Sequence, residues 1–410
     1  MENYLSVREI AEKWGVSERR VNQYCSDKRI PGARKFGKSW AIPADAEKPK
    51  DPRYIQQQEK ISDIKTAKTE MQTVTRGLLD STNLMPLMNT DFVPGNCRKT
   101  VESMTDGVQR DISFAEYYYF SGRPEEAVKA AEPYLTSSDM GARLSACLIY
   151  TYANLSVGQI QKARFALGEL NASLSAAGKQ SPQFRAAAAF VASAGAVLLH
   201  LPLPGEMPET EIFLPYLPPG LRAFALYVQA HYLYLKEDYA RSAGIVEATL
   251  AMGAAKYPIP AIYLHLVLVM DYMSLKRSDR AEEHLLKAWD IARPDDLIEG
   301  FGEHHGLLGG MLEAVIKPKW PKDFKRIIDI TYSFSSGWRR VHNPLTGHDV
   351  ADDLTTTEFA MAMLAARGWT NKEIAGHLNI SVNTVKSHIS EAMRKLNVET
   401  RKELKQYMLR

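Results

Sequence analysis

The strongest constraint on this chain is a set of helix-start signals in its last sixty residues. Thr355, Thr370 and Thr400 are each followed three residues later by a glutamate, which is the spacing of a capping box. The predicted helices lie at about 356–367, 371–378, 382–396 and 401–408. Residues 351–410 are therefore expected to form a small four-helix domain.

The second and third of these helices have the spacing of a helix-turn-helix. Ala375, Asn379 and Val385 stand at positions i, i+4 and i+10. A small residue lets the helices approach, a residue that tolerates the left-handed conformation makes the turn, and an apolar residue closes the core. The residues expected to be buried along the third helix are Val385, Ile389, Met393 and Leu396.

The opposite face of the third helix carries the candidate DNA-binding residues. They are Asn383, Thr384, Lys386, Ser387, Ser390 and Arg394. Such a polar face suits the major groove, where side chains reach base edges and phosphates. Lys386 and Arg394 are candidates for either contact, Thr384 for a phosphate near the helix start, and the other three for bases. The small side chains at 387 and 390 indicate modest direct readout.

This segment resembles the LuxR-type (GerE-like) DNA-binding domain over about sixty of the 410 residues. The likeness is carried by Leu354-Thr355, Glu358, NKEIA at 371–375, Ile380-Ser381, Thr384-Val385-Lys386, His388, Lys395-Leu396, Val398 and Arg401. Thr357 and Ala360 depart from the family, which more often has Arg and Glu there. The resemblance implies a helix-turn-helix on double-stranded DNA, and a homodimer through 401–408 would match the two-fold symmetry of most operators.

The first forty residues contain a second segment with helix-turn-helix spacing. EIAEKWGVSERRV at 9–21 aligns with EIAGHLNISVNTV at 373–385 at one constant offset. Ala11, Gly15 and Val21 here form the i, i+4, i+10 set. The expected elements are helices at about 7–14 and 18–26, started by Ser6 with Glu9 and by Ser17, and short strands at about 33–35 and 39–42.

Residues 1–45 are therefore similar to the MerR/excisionase-type winged helix-turn-helix, with the two strands as its β-wing. The residues that this resemblance implies for DNA contact are Arg19, Arg20, Asn22 and Gln23 on the second helix and Arg34, Lys35 and Lys38 on the wing. The alternative is a module that docks a protein and leaves its cations in solvent.

The middle of the chain reads as a linker followed by helical hairpins. Residues 46–110 begin with a polar tether and include a plausible helix near 61–80. From 111 to 345, large aromatic residues, a glycine and small residues recur at intervals of 36 to 41 residues. This pattern resembles tetratricopeptide (TPR) repeats, which implies a solenoid whose groove could take a protein, a peptide or a small-molecule effector. The aromatic run Tyr117, Tyr118, Tyr119 and Phe120 is expected to fill core.

Composition and missing motifs exclude several classes of protein. The formal net charge is +3, with Lys and Arg in excess at both ends and acids in excess between them. Three widely spaced cysteines fit reduced structural thiols, and His304-His305 is expected to be structural. No phosphate-binding loop, zinc pattern or catalytic constellation occurs, so no catalysis, metal or cofactor is expected. With no leader and no apolar run long enough for a membrane span, the chain is expected to be cytoplasmic.

The sequence as a whole predicts a mainly α chain, in which a TPR-like helical-hairpin solenoid lies between a winged helix-turn-helix and a four-helix LuxR-type domain. Its expected function is that of a bacterial transcription regulator, with double-stranded DNA and RNA polymerase as partners. One alternative is a TPR-like interaction scaffold or anti-regulator whose terminal modules dock proteins. Another is an excisionase-like architectural DNA-binding factor.

Overall fold

The computed structural model describes six stretches of the chain. They are residues 4–37, 39–49, 83–175, 181–199, 208–342 and 354–405, with the backbone alone described at 174–175 and 338–342. The chain divides into two compact units, Met1–Leu78 and Leu79–Arg410. The predicted helix near 61–80 and the predicted wing residue Lys38 lie outside the described residues.

The N-terminal unit packs two helices on a three-stranded antiparallel sheet. Its elements are β1 Tyr4–Ser6, α1 Val7–Trp14, α2 Glu18–Ser26, β2 Arg34–Phe36 and β3 Ser39–Pro43. β3 is the central strand, pairing Ile42 with Leu5 of β1 and Trp40 with Lys35 of β2. Both helices and the β2–β3 hairpin occur where the sequence predicts them, whereas the sequence signals do not predict β1.

Helix caps and a small apolar core hold this unit together. Ser6 and Glu9 form the predicted capping box, in which the Glu9 carboxylate accepts the Ser6 N–H at 2.8 Å. Gly15 ends α1 at φ 61°, a left-handed conformation that glycine adopts without a steric penalty. Ser17 takes the N-cap position of α2 without a side-chain cap hydrogen bond. The buried core consists of Ile10, Ala11, Val21, Tyr24, Cys25, Ile30 and Ile42.

The described part of the C-terminal unit is almost entirely helical. Its first helices are α3 Cys97–Glu102, α4 Val108–Phe120, α5 Pro124–Ala131, α6 Met140–Val157, α7 Ile160–Ser175, α8 Pro182–Leu198, α9 Thr210–Phe213, α10 Pro219–Leu235, α11 Tyr239–Ala251, α12 Pro258–Ser274 and α13 Ser278–Ala292. They are followed by α14 Glu299–Glu303, α15 Lys317–Lys319, α16 Pro321–His342, α17 Thr356–Ala366, α18 Asn371–Leu378 and α19 Val382–Lys395. Short 3-10 helices lie at Leu87–Asn89, Glu132–Tyr134, Leu214–Tyr216, Ala254–Lys256, Arg293–Asp295 and Arg401–Leu404, and a π-helix lies at Leu312–Ile316. We call α3–α16 the array and residues 354–405 the C-terminal domain.

Neighbouring helices of the array pack in pairs, α4 on α5, α6 on α7, α10 on α11 and α12 on α13. The turns that follow α4 and α6 contain Gly122 at φ 66° and Gly158 at φ 77°. Ala127 and Ala163, which follow these glycines, are fully buried and let the paired helices approach. The predicted hairpins are therefore present, while the likeness to tetratricopeptide repeats stays a prediction.

α12 lies at the centre of the array and is buried at every residue from 258 to 273. Its two polar interruptions have partners, since Asp271 accepts a hydrogen bond from Ser242 at 2.7 Å and His265 Nδ1 lies 3.0 Å from His284 Nδ1. Burial raises the pKa of Asp271 to about 8 and lowers the pKa of His265 to about 3. Among the described residues, no helix is both long and apolar enough to cross a membrane.

Segments before and after the helix pairs pack across several of them. The carboxylate of buried Glu116 on α4 accepts the backbone N–H groups of Leu87 and Met88 at 2.8 and 3.1 Å. α16 crosses α6 so closely that a Cβ at Gly337 would collide with the Leu155 carbonyl oxygen. In an open solenoid each repeat contacts only its neighbours. Here the contacts reach beyond adjacent helix pairs, and they include residues 83–110, which the sequence predicted only as part of a linker and an ambiguous helical segment. The solenoid stays a prediction.

Candidate nucleic-acid interface

α19 is fixed by a cap at its start and by apolar side chains on one side. The Ser381 hydroxyl oxygen accepts the Thr384 N–H at 3.0 Å, so the helix begins one residue after this serine. The side facing the domain core carries Val385, Ile389 and Ala392, with Met393 half-buried and Leu396 buried just beyond the helix. Three of the four predicted core positions are buried, Met393 is only half-buried, and Ala392 adds a buried position that was not predicted.

The opposite side of α19 is open to solvent. All six predicted contact residues are exposed, namely Asn383, Thr384, Lys386, Ser387, Ser390 and Arg394. With 3.6 residues per turn, five of these fall within about a third of the helix circumference, and Thr384 lies at the edge. The structure thus brings the predicted set onto one continuous polar face.

The two cations of this face differ in their surroundings. Arg394 donates two hydrogen bonds to Glu391, at 2.9 Å from Nε and 2.5 Å from Nη2, although 70% of its side chain is exposed. The hydrogen bond from Arg394 lowers the pKa of Glu391. Lys386 is also exposed, and no carboxylate within the described residues lies in ion-pair range of it. Lys386 can therefore bind an anion directly, whereas Arg394 must first release the Glu391 carboxylate.

A mostly buried ion pair ties the far end of α19 to α17. Lys395 Nζ donates to the Glu358 carboxylate at 2.8 Å. The same carboxylate accepts the Thr355 N–H at 2.8 Å and completes the predicted capping box of α17. Burial alone would raise the pKa of Glu358, but the hydrogen bonds from Lys395 and Thr355 hold it below its usual value. Thr355, Glu358 and Lys395 therefore link the C-terminal end of α19 to the N-terminal end of α17.

The turn between α18 and α19 has the predicted chemistry. Asn379 ends α18 at φ 52° in the left-handed conformation, and its N–H reaches carbonyl oxygens of the preceding turn. Thr370 and Glu373 form the predicted capping box at the start of α18. Because both ends of this helix are set by local hydrogen bonds, its observed bounds equal the predicted ones.

The predicted fourth helix, 401–408, differs from the structure at its start. Residues Arg401–Leu404 form a 3-10 helix, Lys405 is α-helical, and residues 406–410 lie outside the described part. The Thr400 hydroxyl donates to the Glu403 carboxylate at 2.7 Å instead of accepting the Glu403 N–H. The reciprocal capping box is therefore absent here, and residues 401–404 do not form the α-helical first turn that it would support.

The C-terminal domain is docked on the array, a feature that the sequence did not reveal. Trp369 is buried, and its indole N–H donates to the Met273 carbonyl oxygen at 3.2 Å. Arg367 Nη2 donates to the Leu307 carbonyl oxygen at 2.6 Å and also to the Tyr234 hydroxyl. Met273 lies in the last turn of α12, and its carbonyl oxygen also accepts the Lys276 N–H at 3.3 Å. The domain is thus joined to the array by side-chain donors that reach backbone carbonyl oxygens.

Polar contacts extend this docking around the domain. Lys276 Nζ donates to the Gly368 carbonyl oxygen at 2.8 Å and lies 3.6 Å from the Glu373 carboxylate. Lys405 pairs with Glu237 at 2.7 Å. The docked surface is therefore formed by α17, α18 and the 3-10 turn, and the polar face of α19 stays exposed in the docked arrangement.

The N-terminal candidates also lie on the surface of their unit. Arg19, Arg20, Asn22, Gln23, Arg34 and Lys35 are all exposed. Two of them make contacts within α2, since Asn22 Nδ2 donates to the Glu18 carbonyl oxygen at 3.0 Å and Arg20 Nε donates to the Tyr24 hydroxyl at 3.2 Å. Phe36 at the end of β2 is 72% exposed and was not a candidate. The sequence signal that could have identified Phe36 as exposed is its position in KFGK, between two lysines at a predicted hairpin.

Both members of the His304–His305 pair have structural partners. His304 Nδ1 lies 2.8 Å from the Gly300 carbonyl oxygen and Nε2 lies 2.8 Å from the Tyr227 hydroxyl, while His305 Nε2 lies 2.8 Å from Glu313. Burial lowers the pKa of His304 to about 4. Of the aromatic run, Tyr117, Tyr119 and Phe120 are buried as predicted. In the part of the chain that the structure describes, no group of three or more His, Cys, Asp or Glu could hold a metal ion.

Comparison with known proteins agrees with the geometry of the C-terminal domain. Residues 352–408 match the GerE family model, described as bacterial regulatory proteins, luxR family. Over 57 residues, 14% of this chain, the sequence is 42% identical to the oxygen regulatory protein NreC of Staphylococcus carnosus, covering 26% of that protein. It is equally 42% identical over 57 residues to the probable transcriptional regulatory protein SgaR of Hyphomicrobium methylovorum, covering 27% of it.

A longer match is weaker. The chain is 28% identical over 110 residues to the response regulator protein VraR of Staphylococcus saprophyticus, which covers 25% of this chain and 53% of that protein. The chain therefore spans between a quarter and about half of the length of these relatives. No solved structure matches the chain significantly. The C-terminal segment, residues 352–408, is a helix-turn-helix domain of the luxR family of bacterial regulatory proteins.

Proposed function

We propose that this chain is a transcriptional regulator that binds a specific double-stranded DNA site through the exposed face of α19. The observation that carries the proposal is the polar face itself, because six candidate residues are exposed on a helix whose other side is buried in a luxR-family domain. The major groove of B-form DNA admits an α-helix, and side chains on such a face reach base edges and phosphates.

The residues of this face have distinct roles in the proposal. Lys386 and Arg394 supply charge for phosphates or guanine edges, and Thr384 lies near the helix start, where it can reach a phosphate. Asn383, Ser387 and Ser390 face bases. Since only one of these three is long enough for a bidentate contact, we expect much of the affinity to come from phosphates.

The test is a binding assay with the full chain. Genomic fragments that the protein retains would first supply a site, and Lys386→Ala would then be compared with Lys129→Ala, a change at an exposed lysine of the array. We expect Lys386→Ala to weaken binding by about 1–3 kcal/mol if Lys386 contacts a base, or to lower the salt slope by about 1 if it contacts a phosphate. Equal binding by both variants and the wild-type chain would reject the role of Lys386.

The array is proposed to act as the sensor or interaction part of the regulator. What supports this is its contact with the C-terminal domain, because the carbonyl groups of Met273 and Leu307 are held by Trp369 and Arg367. A protein, peptide or small-molecule effector that shifts α12 would therefore move the Met273 carbonyl group, to which the C-terminal domain is bound. RNA polymerase is a further proposed partner, as expected of a transcription regulator.

A homodimer on DNA is proposed from the two-fold symmetry of most helix-turn-helix sites. Part of the surface around the 3-10 turn is already used within the protomer, because Leu404 is fully buried and Lys405 pairs with Glu237. A dimer must therefore use other surfaces of 401–408 or break that ion pair. Sedimentation of the protein on a single site would decide, and one protomer per site would reject the dimer.

The N-terminal unit is proposed to make a second DNA contact. Arg19, Gln23, Arg34 and Lys35 are exposed and offer donors of the kind that phosphates and bases accept. In the full chain, Arg19→Ala with Gln23→Ala should shorten the footprint and leave the α19 site occupied. The rival role is a protein-docking module, which predicts an unchanged footprint. If both terminal modules only dock proteins, the chain should show no salt-sensitive DNA binding at all.

A further inference from the structure

A row of lysines lies at the start of α16, in a part of the chain whose overall charge is negative. Residues 317–329 contain five Lys and Arg and two Asp, whereas residues 61–350 as a whole contain 29 Lys and Arg and 32 Asp and Glu. Lys317, Lys319, Lys322 and Lys325 are all exposed. We call these four residues the lysine row.

The lysine row is not neutralised by the acids around it. Asp323 pairs with Arg293 at 3.2 Å, and Asp296 accepts two hydrogen bonds from Arg326, both at 2.6 Å. Both of these aspartates are thus paired with arginines. Among the described residues, no carboxylate lies within ion-pair range of the four ammonium groups. Asp329 is exposed one turn beyond the row. This one carboxylate does not balance the four lysines, so the surface keeps a clear excess of positive charge.

Two half-buried aromatic rings hold the row against the array. Lys317 Nζ lies 5.5 Å from the centre of the Phe324 ring, and Lys319 Nζ lies 5.9 Å from the centre of the Trp320 ring. Trp320 in turn packs against buried Trp289, with ring centres 5.5 Å apart. Lys317 and Lys319 are therefore held over packed rings, which reduces the side-chain entropy that these two lysines lose when they bind an anion.

The row begins where the array supports the helix-turn-helix. The π-helix Leu312–Ile316 packs against α18, and Lys317 follows it directly. Just before the π-helix, Gly310 abuts α18 so closely that a Cβ there would lie 2.9 Å from the Leu378 side chain. In helix-turn-helix complexes the first helix of the motif crosses the DNA backbone. α18 is that helix here, and the lysine row begins one residue after the π-helix that packs against it.

We propose that the lysine row is a second DNA-binding surface, which contacts backbone phosphates beside the site read by α19. This inference rests on the proposed function, because the ligand is the flanking part of the same duplex. Lysine ammonium groups suit phosphates as point charges and carry no sequence information. The row therefore adds affinity and salt dependence, and it leaves the choice of sequence to α19.

The test compares two variants of the full chain that lose the same number of charges. One carries Lys317→Gln, Lys319→Gln, Lys322→Gln and Lys325→Gln. The matched control carries Lys99→Gln, Lys129→Gln, Lys162→Gln and Lys256→Gln, all at exposed positions of the array outside the row. Binding is measured by fluorescence anisotropy against salt, on a duplex of about 60 base pairs that contains the best genomic site and on a scrambled duplex of equal length.

The lysine-row variant is expected to have a salt slope shallower by about three to four, since each lost phosphate contact changes the slope by about 0.9. Its affinity at about 150 mM salt should fall at least tenfold, by the same factor on both duplexes. The control should bind like the wild-type chain. Equal slopes and affinities for the two variants would overturn this inference alone. A wild-type chain that ignores both duplexes would overturn the proposed function as well.

Discussion

Trp369 offers the sharpest test of the docking between the C-terminal domain and the array. The residue is 5% exposed, and its indole N–H donates to the Met273 carbonyl oxygen at 3.2 Å. A buried aromatic side chain removes about 150–250 Å² from water, which corresponds to about 4–6 kcal/mol at ~25 cal/mol per Å². Since part of the cavity collapses, we expect Trp369→Ala to lower the free energy of unfolding by about 3–5 kcal/mol.

The loss should appear at the docking contacts first. Hydrogen exchange measured by mass spectrometry should become faster in α17 and in the last turn of α12 of the Trp369→Ala variant. Trp369→Phe keeps most of the apolar area and loses only the hydrogen bond to Met273, so we expect a smaller cost of about 1–2 kcal/mol. Tyr332→Ala is the control, because its ring is 51% exposed and surface changes usually stay within about 0.5 kcal/mol.

A Trp369→Ala variant with the urea midpoint of the Tyr332→Ala control would refute this reasoning. It would mean that the indole does not fill the interface in solution. Faster exchange throughout the array, at the same magnitude as in α17, would also count against a local docking role.

Three further perturbations have clear expected outcomes. Burial raises the pKa of Glu116 and of Asp271 to about 8, so the folded state binds more protons than the unfolded state and the free energy of unfolding should fall between pH 6.5 and 8.5. Urea unfolding at both pH values checks this, and Asp271→Asn should reduce the fall. Lys395→Met should cost about 1–3 kcal/mol, because it leaves the Glu358 carboxylate buried without its partner, and Glu358→Gln in the same chain should recover part of the loss. Asp295→Asn should cost about 1–3 kcal/mol and speed hydrogen exchange in α3, since this carboxylate accepts two backbone N–H groups, at 2.6 and 2.9 Å, at the start of that helix.

Elements set by neighbouring residues could be predicted from the sequence. α18 begins at the Thr370–Glu373 capping box and ends at Asn379, and its bounds follow from those hydrogen bonds alone. The face of α19 was also predictable, because burial every three or four residues leaves the other side to solvent. The same local signal failed at Thr400, where the hydroxyl donates to Glu403 and the helix does not start as predicted.

Contacts between distant parts of the chain could not be predicted in this way. Trp369 looked like part of a loop, and only the fold places it against α12. Glu116 and Leu87 are 29 residues apart, so their hydrogen bond has no local pattern. β1 has three residues, too few for a period of two to be visible, and it is defined by its pairing with β3. The lysine row is visible in the sequence, but the packing of the preceding π-helix against α18 is not.

The most direct measurement is site-directed crosslinking from α19. The native cysteines are buried, so a photoreactive probe can be attached to Ser387→Cys and, as a control, to Lys129→Cys, at an exposed position of the array in the full chain. We expect the probe at position 387 to crosslink to bases at one position of the selected site, and the probe at 129 to leave the bases unmodified. Equal crosslinking from both positions, or none from 387 while the protein is bound, would contradict a DNA-reading role for the exposed face of α19.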